Sequence, residues 1–474
     1  MGRLPPVGLS RAATWWPVAL LVALFALPAT AQATDWGTFG FDAARTGENP
    51  REGALGPGNA RSLREVWSAP LGGVIDAQPL VASGVKLRGG RRSDLVIAGS
   101  ESGALAALDA ATGRPVWRRQ LGARRARCTD LPNGTYGVTS TPNLDRRRNR
   151  VYAADGQGRL HALDLSTGAE RPGWPVTVTR APAREHIWGG VARRGDRLYA
   201  ATSSHCDEVF YRGRLVATDA RRARVDATWF TLPRHLRGGG IWGWGGAVVD
   251  VRDGDVYVAT ANALVVREDT PYAEHVVRLT SGLRRRAANH PPLPNTGDAD
   301  FGSAPLLYRA PGCPPQLAVL HKSGALLVYD RDRIASGPRQ TLQVGDGARL
   351  AAYGTYAYAA SARLLFVANN TTGDFTHGLL AFRVNAACAL EPAWQQAVGP
   401  DPAVLSPPVT ANGVVDLGTG FGRELCAFDA ASGRPLWTSG TLAGAVYGGP
   451  TVAEGRLYAG AWDGRIHAFA PAAG

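Results

Sequence analysis

An all-β fold, an eight-bladed β-propeller, is what this sequence predicts. Three observations predict it. One phrase recurs along the chain at intervals of roughly 40–60 residues, the range of a four-stranded blade. Glycine (59 of 474 residues) and proline (32) are abundant, which favours many short strands and turns over long helices. The last copy of the phrase breaks off before its final strand, and a strand of that missing kind stands alone near residue 63.

The phrase is a strand, a polar turn and a second strand: Ala-x-Asp, then Thr/Ser-Gly, then Trp. "LAALDAATGRPVW" (105–117) and "LCAFDAASGRPLW" (425–437) are its clearest copies. "LHALDLSTGAERPGW" (160–174) and "LVATDARRARVDATW" (215–229) keep the frame. "HVVRLTSGLRRRA" (275–287), "LLVYDRDRIASGP" (326–338) and "LLAFRVNAACALEPAW" (379–394) have lost parts of it, and "IHAFAPAAG" (466–474) ends the chain. Alternating apolar residues make half-buried strands. The Asp and the Thr/Ser-Gly make the turn, with glycine supplying a positive φ. The tryptophan buries a large apolar area between neighbouring sheets. "LREVWSAPLG" (63–72) offers the strand that the last copy lacks, so the N-terminal strand is expected to complete the eighth blade and tie the chain ends together.

The first 33 residues read as a cleaved secretory signal, leaving 34–474 as the propeller. Arg3 and Arg11 form a positive region, "WWPVALLVALFALPA" an apolar core, and "AQA" at 31–33 a small-residue cleavage site. That apolar run is too short and wrongly flanked to span a membrane. No cysteine follows it to take a lipid, so a secreted or periplasmic location is expected. The formal charge of +13 is nearly all arginine; the lysines are Lys86 and Lys322. Runs such as "DRRRNR" (145–150) sit between strand patterns and read as solvated turns, and no aromatic and basic stripe of the nucleic-acid-binding kind is present. Five cysteines allow two disulfides and one free thiol in an oxidising compartment. Their connectivity cannot be deduced from counts; the pairing Cys128–Cys206 and Cys313–Cys388, with Cys426 buried and free, is the expectation. No C-x-x-C-H is present to attach a c-type haem, and no zinc spacing occurs.

The A-x-D-x-x-T-G-x-x-x-W phrase resembles the repeat of the pyrroloquinoline quinone (PQQ) propellers. That superfamily includes quinoprotein alcohol dehydrogenases, polyvinyl-alcohol dehydrogenases and members without known redox activity. "DWGTFGFDAARTG" (35–47) is similar to its opening segment, and the likeness covers essentially the whole chain after the leader. Four further stretches resemble the dehydrogenase site. In "DEVFYRGRLVATD" (207–219) Glu208 falls where the family places a calcium ligand. In "IWGWGGAVVDVRDGDVYVATAN" (241–262) Trp242 falls on the indole beneath the quinone, with Trp244 beside it, and Asn262 on a second calcium ligand. In "GDADFGSAPLLY" (297–308) Asp300 falls on the catalytic base. In "LAVLHKSGALLVYDRD" (317–332) Lys322 falls on the cation that contacts the quinone oxygens.

The chemistry wants these types. A planar cofactor takes an aromatic floor. Calcium takes carboxylate and amide oxygens. A carboxylate near the quinone carbonyl can accept the alcohol proton. The resemblance therefore implies PQQ and calcium as cofactors, an alcohol or a hydroxyl-bearing polymer as substrate, and a separate electron acceptor. Two departures keep a binding or scaffold propeller open as the alternative. The vicinal disulfide often stacked on the other quinone face is missing, and T-A-N stands where the family reads T-G-N. Trp242 and Trp244 could instead pack between blades, and His186 and His205 could face the central funnel or be satisfied in the core.

Overall fold

The computed structural model describes residues 1–4, 8, 35–128, 131–264, 271–293, 298, 300–346, 355–400 and 404–472. The leader expected over 1–33 falls almost wholly outside them. Residues 33–474 form one compact unit. Apart from two short 3-10 turns, Ala60–Ser62 and Arg331–Ser336, its regular elements are strands.

The strands make eight antiparallel four-stranded blades around a ring, seven of them in chain order from the inside outward; Glu48–Asn49 adds a short parallel strand to the seventh, and Arg124–Arg125 pairs with Thr135–Tyr136 in a separate ribbon. The first blade is Leu80–Lys86, Arg92–Gly99, Ala104–Asp109 and Pro115–Gln120. The inner strands of the next six begin at Asn143, Ala192, Val248, Leu306, Tyr356 and Val409. The eighth blade is Thr451–Ala453, Arg456–Gly460 and Arg465–Pro471, completed by Leu63–Pro70, which pairs antiparallel with Arg465–Pro471. The closing strand is thus the one its sequence predicts. Alternation sends residues such as Leu105, Ala107, Val96 and Val151 into continuous interblade cores with essentially no exposure.

The repeat's tryptophan does more than fill space. The Trp67 indole donates to the Ala110 carbonyl (3.0 Å), Trp117 to Leu165 (2.8 Å) and Trp394 to Ala430 (3.2 Å). Each acceptor follows the turn aspartate of the next blade, so Trp and Asp-turn are joined across every such boundary. The turn glycine lies beneath the same ring. A Cβ on Gly113, Gly168 or Gly433 would approach Trp67, Trp117 or Trp394 to 2.6–2.7 Å, and all three glycines hold φ near +70°.

The opening segment has a role the repeats do not announce. Residues 36–49 visit all eight inner strands. Trp36 bridges Val81, the Gly37 carbonyl accepts from Leu144 N–H, and Thr38 Oγ1 donates to the Val191 carbonyl. Carbonyls of Ala43, Ala44 and Thr46 accept from Val249, Leu307 and Tyr358, Glu48–Asn49 pairs in parallel with Thr410–Ala411, and Asn49 Nδ2 donates to the Val452 carbonyl. Arg45, almost fully buried, fixes this segment. Its guanidinium donates to Thr38 Oγ1 and to the carbonyls of Phe39, Gly190 and Ala247 at 2.7–3.2 Å. Burial lowers its pKa to about 10, against the opposing Asp42 charge.

The disulfides are Cys128–Cys206 and Cys313–Cys388, and Cys426 is a buried free thiol, as expected. Two disulfides fit an oxidising compartment. No helix among the described residues is long and apolar enough to cross a membrane.

Candidate functional site

In an antiparallel four-stranded blade, the crossing into the inner strand and the loop between second and third strands lie at the same end. Those segments hold a cavity of about 580 Å³. Trp242 and Trp244 come from the crossing before Val248, Asp298 and Asp300 from the crossing before Leu306, and Lys322 from the turn after Gln316–Leu320. Phe39 of the opening segment packs with Trp244 and Tyr447 in one apolar cluster.

Three residues singled out from the sequence converge. The Trp242 indole donates to Asp300 Oδ2 at 3.1 Å. Lys322 Nζ lies 3.1 Å from Asp300 Oδ1 and 2.9 Å from Asp298 Oδ1, and 4.9 Å from the centre of the Trp242 ring. The Lys322 backbone N–H also donates to the Asp300 carbonyl at 2.8 Å. Gly243 makes this approach feasible: its φ is +82°, and a Cβ there would come within 2.6 Å of the Gly302 carbonyl oxygen. Burial raises the Asp300 carboxyl to about pKa 6, against the lowering charge of Lys322. Burial acts to lower Lys322, but the Asp300 and Asp298 carboxylates outweigh it and lift its pKa. The set is therefore an ion pair with a carboxylate that gains or loses a proton near neutral pH.

Other expected residues fall elsewhere. Trp244 lines the cavity but lies mostly in the apolar cluster, 7 % exposed, with its indole N–H unpartnered among the described residues. Glu208 does not line the cavity; its carboxylate faces Arg127 at 4.0 Å. Its neighbour Asp207 lines it instead, on a backbone turned by a φ of +42°. Asn262 also stays off the wall, which Ala261 supplies, and its carbonyl accepts from Gly239 N–H. Of the two histidines, His205 lines the cavity, while His186 backs it and accepts the His205 backbone N–H at Nδ1 (3.1 Å). Burial lowers both, His186 to about 4 and His205 to about 3, so both imidazoles are neutral.

Two features escaped the sequence reading. Trp188 stacks on Trp242, ring centres 5.1 Å apart and planes 22° from parallel. The signal was present: "IWGG" (187–190) and "IWGWGG" (241–246) share a phrase at successive inner-strand crossings. The second is a carboxyl pair. Asp76, on the cavity wall, accepts from the Trp462 indole at 2.7 Å, and its charge acts on buried Glu101, whose Oε2 accepts from Gly137 N–H and Thr139 Oγ1. Burial raises both, Asp76 to about 6 and Glu101 well above its ordinary value.

Fold and site together define a propeller with a funnel cavity of mixed aromatic and acidic lining. A family model described as "Outer membrane protein assembly factor BamB" matches residues 59–263 and 389–474, and the chain belongs to that family of PQQ-like repeat propellers. Among curated proteins it is 24 % identical over 522 residues to a polyvinylalcohol dehydrogenase of Pseudomonas sp, covering 96 % of this chain and 74 % of the relative. It is 24 % identical over 487 residues to a polyvinylalcohol dehydrogenase of Sphingopyxis sp. (strain 113P3), covering 87 % and 70 %. Among solved structures, the quinohemoprotein alcohol dehydrogenase ADHIIG of Pseudomonas putida HK5 superposes with a TM-score of 0.72 at 14 % identity, covering 93 % of this chain and 81 % of that one. BamB of Moraxella catarrhalis superposes with a TM-score of 0.56 at 17 % identity, covering 86 % and 97 %. At these identities the structural likenesses show the fold.

Proposed function

We propose that this protein is a secreted or periplasmic PQQ-dependent dehydrogenase of alcohols or hydroxyl-bearing polymers that passes electrons to a separate acceptor. The observation that carries the reading is the Trp242–Asp300–Lys322 set on the wall of the 580 Å³ cavity. The two relatives that cover most of the chain are polyvinylalcohol dehydrogenases, which supports it.

The residues present suit the planar ring system of a quinone. Trp242 and Trp188 offer near-parallel indole faces, and Lys322 offers a cation beside them. Trp244 and His205 leave buried ring nitrogens unpartnered among the described residues. The quinone, when bound, supplies the two-electron acceptor. This chain's own work is then to hold the hydroxyl against Asp300, whose carboxylate takes the hydroxyl proton. Trp242 orients that carboxylate through its N–H, and Lys322 balances negative charge as it develops.

Calcium is a different matter. Glu208 and Asn262 do not line the cavity, and no group of three or more His, Cys, Asp or Glu among the described residues is arranged to hold a metal ion. No step is assigned to it.

The test is calorimetric titration of the protein with PQQ, with and without calcium, beside Trp242→Ala, followed by dye reduction with small alcohols and polyvinyl alcohol. Binding lost in the variant, and dye reduction lost in Asp300→Asn, support the reading. Absence of binding at high micromolar quinone leaves the second reading, a non-catalytic binding or scaffold propeller. That reading draws on the BamB family match and the displaced Glu208.

A further inference from the structure

Resting on the dehydrogenase reading, we propose that Trp188 is the second face of the cofactor site: a planar aromatic ligand enters between the Trp188 and Trp242 rings, which the structure holds closed on one another. Both indoles line the cavity and lie 22° from parallel, with ring centres 5.1 Å apart. Stacking contacts of about 3.5 Å on each side set the open spacing at about 7 Å between ring planes. The rings must therefore part by only about the thickness of one aromatic layer.

The anchoring of the two indoles tells which one moves. Trp242 is fixed by its N–H bond to Asp300 and by Lys322 beside its ring. Among the described residues no hydrogen bond holds the Trp188 indole. It rests on His205 (4.5 Å between ring centres) and more distantly on Trp244 (6.2 Å), and the cavity it borders leaves it room to turn. Its backbone, by contrast, is pinned. A Cβ on Gly189 would meet the Gly246 backbone at 2.4 Å, and one on Gly190 would meet Phe39 at 2.8 Å. The motion is thus a side-chain rotation over a fixed crossing.

The pair gives its own readout, because two stacked indoles couple in far-ultraviolet circular dichroism. The full-length protein is titrated with PQQ alone and with PQQ plus calcium, while the couplet and the heat of binding are followed. The wild type is expected to show a couplet that Trp188→Ala and Trp242→Ala lack, and to lose it as PQQ saturates. Trp188→Ala is expected to weaken PQQ binding about three- to tenfold, the worth of one aromatic stack, with Trp188→Phe recovering part of the loss. PQQ binding with the couplet intact overturns the insertion, as does Trp188→Ala binding as tightly as wild type or tighter. Trp188→Phe and the wild-type couplet decide the matter if Trp188→Ala does not fold. No PQQ binding by wild type overturns the dehydrogenase reading itself, and the insertion with it.

Discussion

The indole N–H of Trp242 donates to Oδ2 of Asp300 at 3.1 Å while Lys322 holds the other oxygen at the same distance. Both contacts favour the ionised carboxylate and oppose the burial that raises Asp300 to about 6. A base must be ionised to accept a proton, so turnover is expected to rise through about pH 6 and to fall below it as Asp300 protonates. Trp242→Phe keeps an aromatic ring but deletes the N–H. Its acid limb should move to higher pH, because a lowering contact is gone. The pH dependence of kcat/KM in dye reduction checks this; an unmoved limb would show that Asp300 is not the titrating group.

Gly168 turns beneath Trp117. Its φ is +67°, and a Cβ would come within 2.6 Å of the indole. Gly168→Ala therefore imposes left-handed strain and displaces a ring whose N–H bonds Leu165. We expect a loss of about 2–4 kcal/mol in urea unfolding, with the Trp117 fluorescence shifted. Ala at Gly195, where φ is +59° but nothing lies within 4 Å of the added carbon, should cost only the backbone term, about 1 kcal/mol.

Arg45 donates to four acceptors that belong to the opening segment and to the crossings before the third and fourth blades. Arg45→Met fills similar volume but leaves those buried oxygens unpaired. We expect about 3 kcal/mol or more of destabilisation. Native-state hydrogen exchange should report it first in residues 36–49 and in the amides they engage, such as Leu144, Val249 and Leu307. Loss spread evenly over all blades would argue against Arg45 as the fastener.

The propeller was legible because its information is local. Asp109, Gly113 and Trp117 fall within nine residues of one another, and the same short phrase recurs. The closing strand at Leu63 was legible for the same reason, since the broken last copy names what it lacks. The path of residues 36–49 was not legible. Its hydrogen bonds join residues as far apart as Asn49 and Val452, and no local pattern encodes them. At the site, Trp242, Asp300 and Lys322 could be singled out because each lies in its own motif, and the fold brings the three together. Glu208 stays off the cavity wall, and its neighbour Asp207, held at a positive φ, lines it, a turn of the backbone that no local pattern encodes. Asn262 lies beyond the end of the strand Val256–Ala259, and there Ala261 takes the wall.

Asp416 lies in the second strand of the seventh blade, Val414–Gly418, with no exposure. Neither carboxyl oxygen has a hydrogen-bond partner among the described residues, and burial lifts its pKa to about 8. An unfolded aspartate titrates near 4, so the native state keeps a proton that the unfolded chain gives up. Between about pH 4 and pH 8 the unfolded state binds fewer protons, and stability falls as pH rises, by up to about 1.4 kcal/mol per unit from this one group. Above about pH 8 the native carboxyl ionises too and the slope ends. Asp416→Asn removes the titration while keeping the shape. Its melting temperature relative to wild type is expected to improve steadily from about pH 5 to pH 8 and then level. Thermal melts of the two proteins across that range decide it. Parallel curves would mean that Asp416 is already ionised in the folded protein, held by a partner.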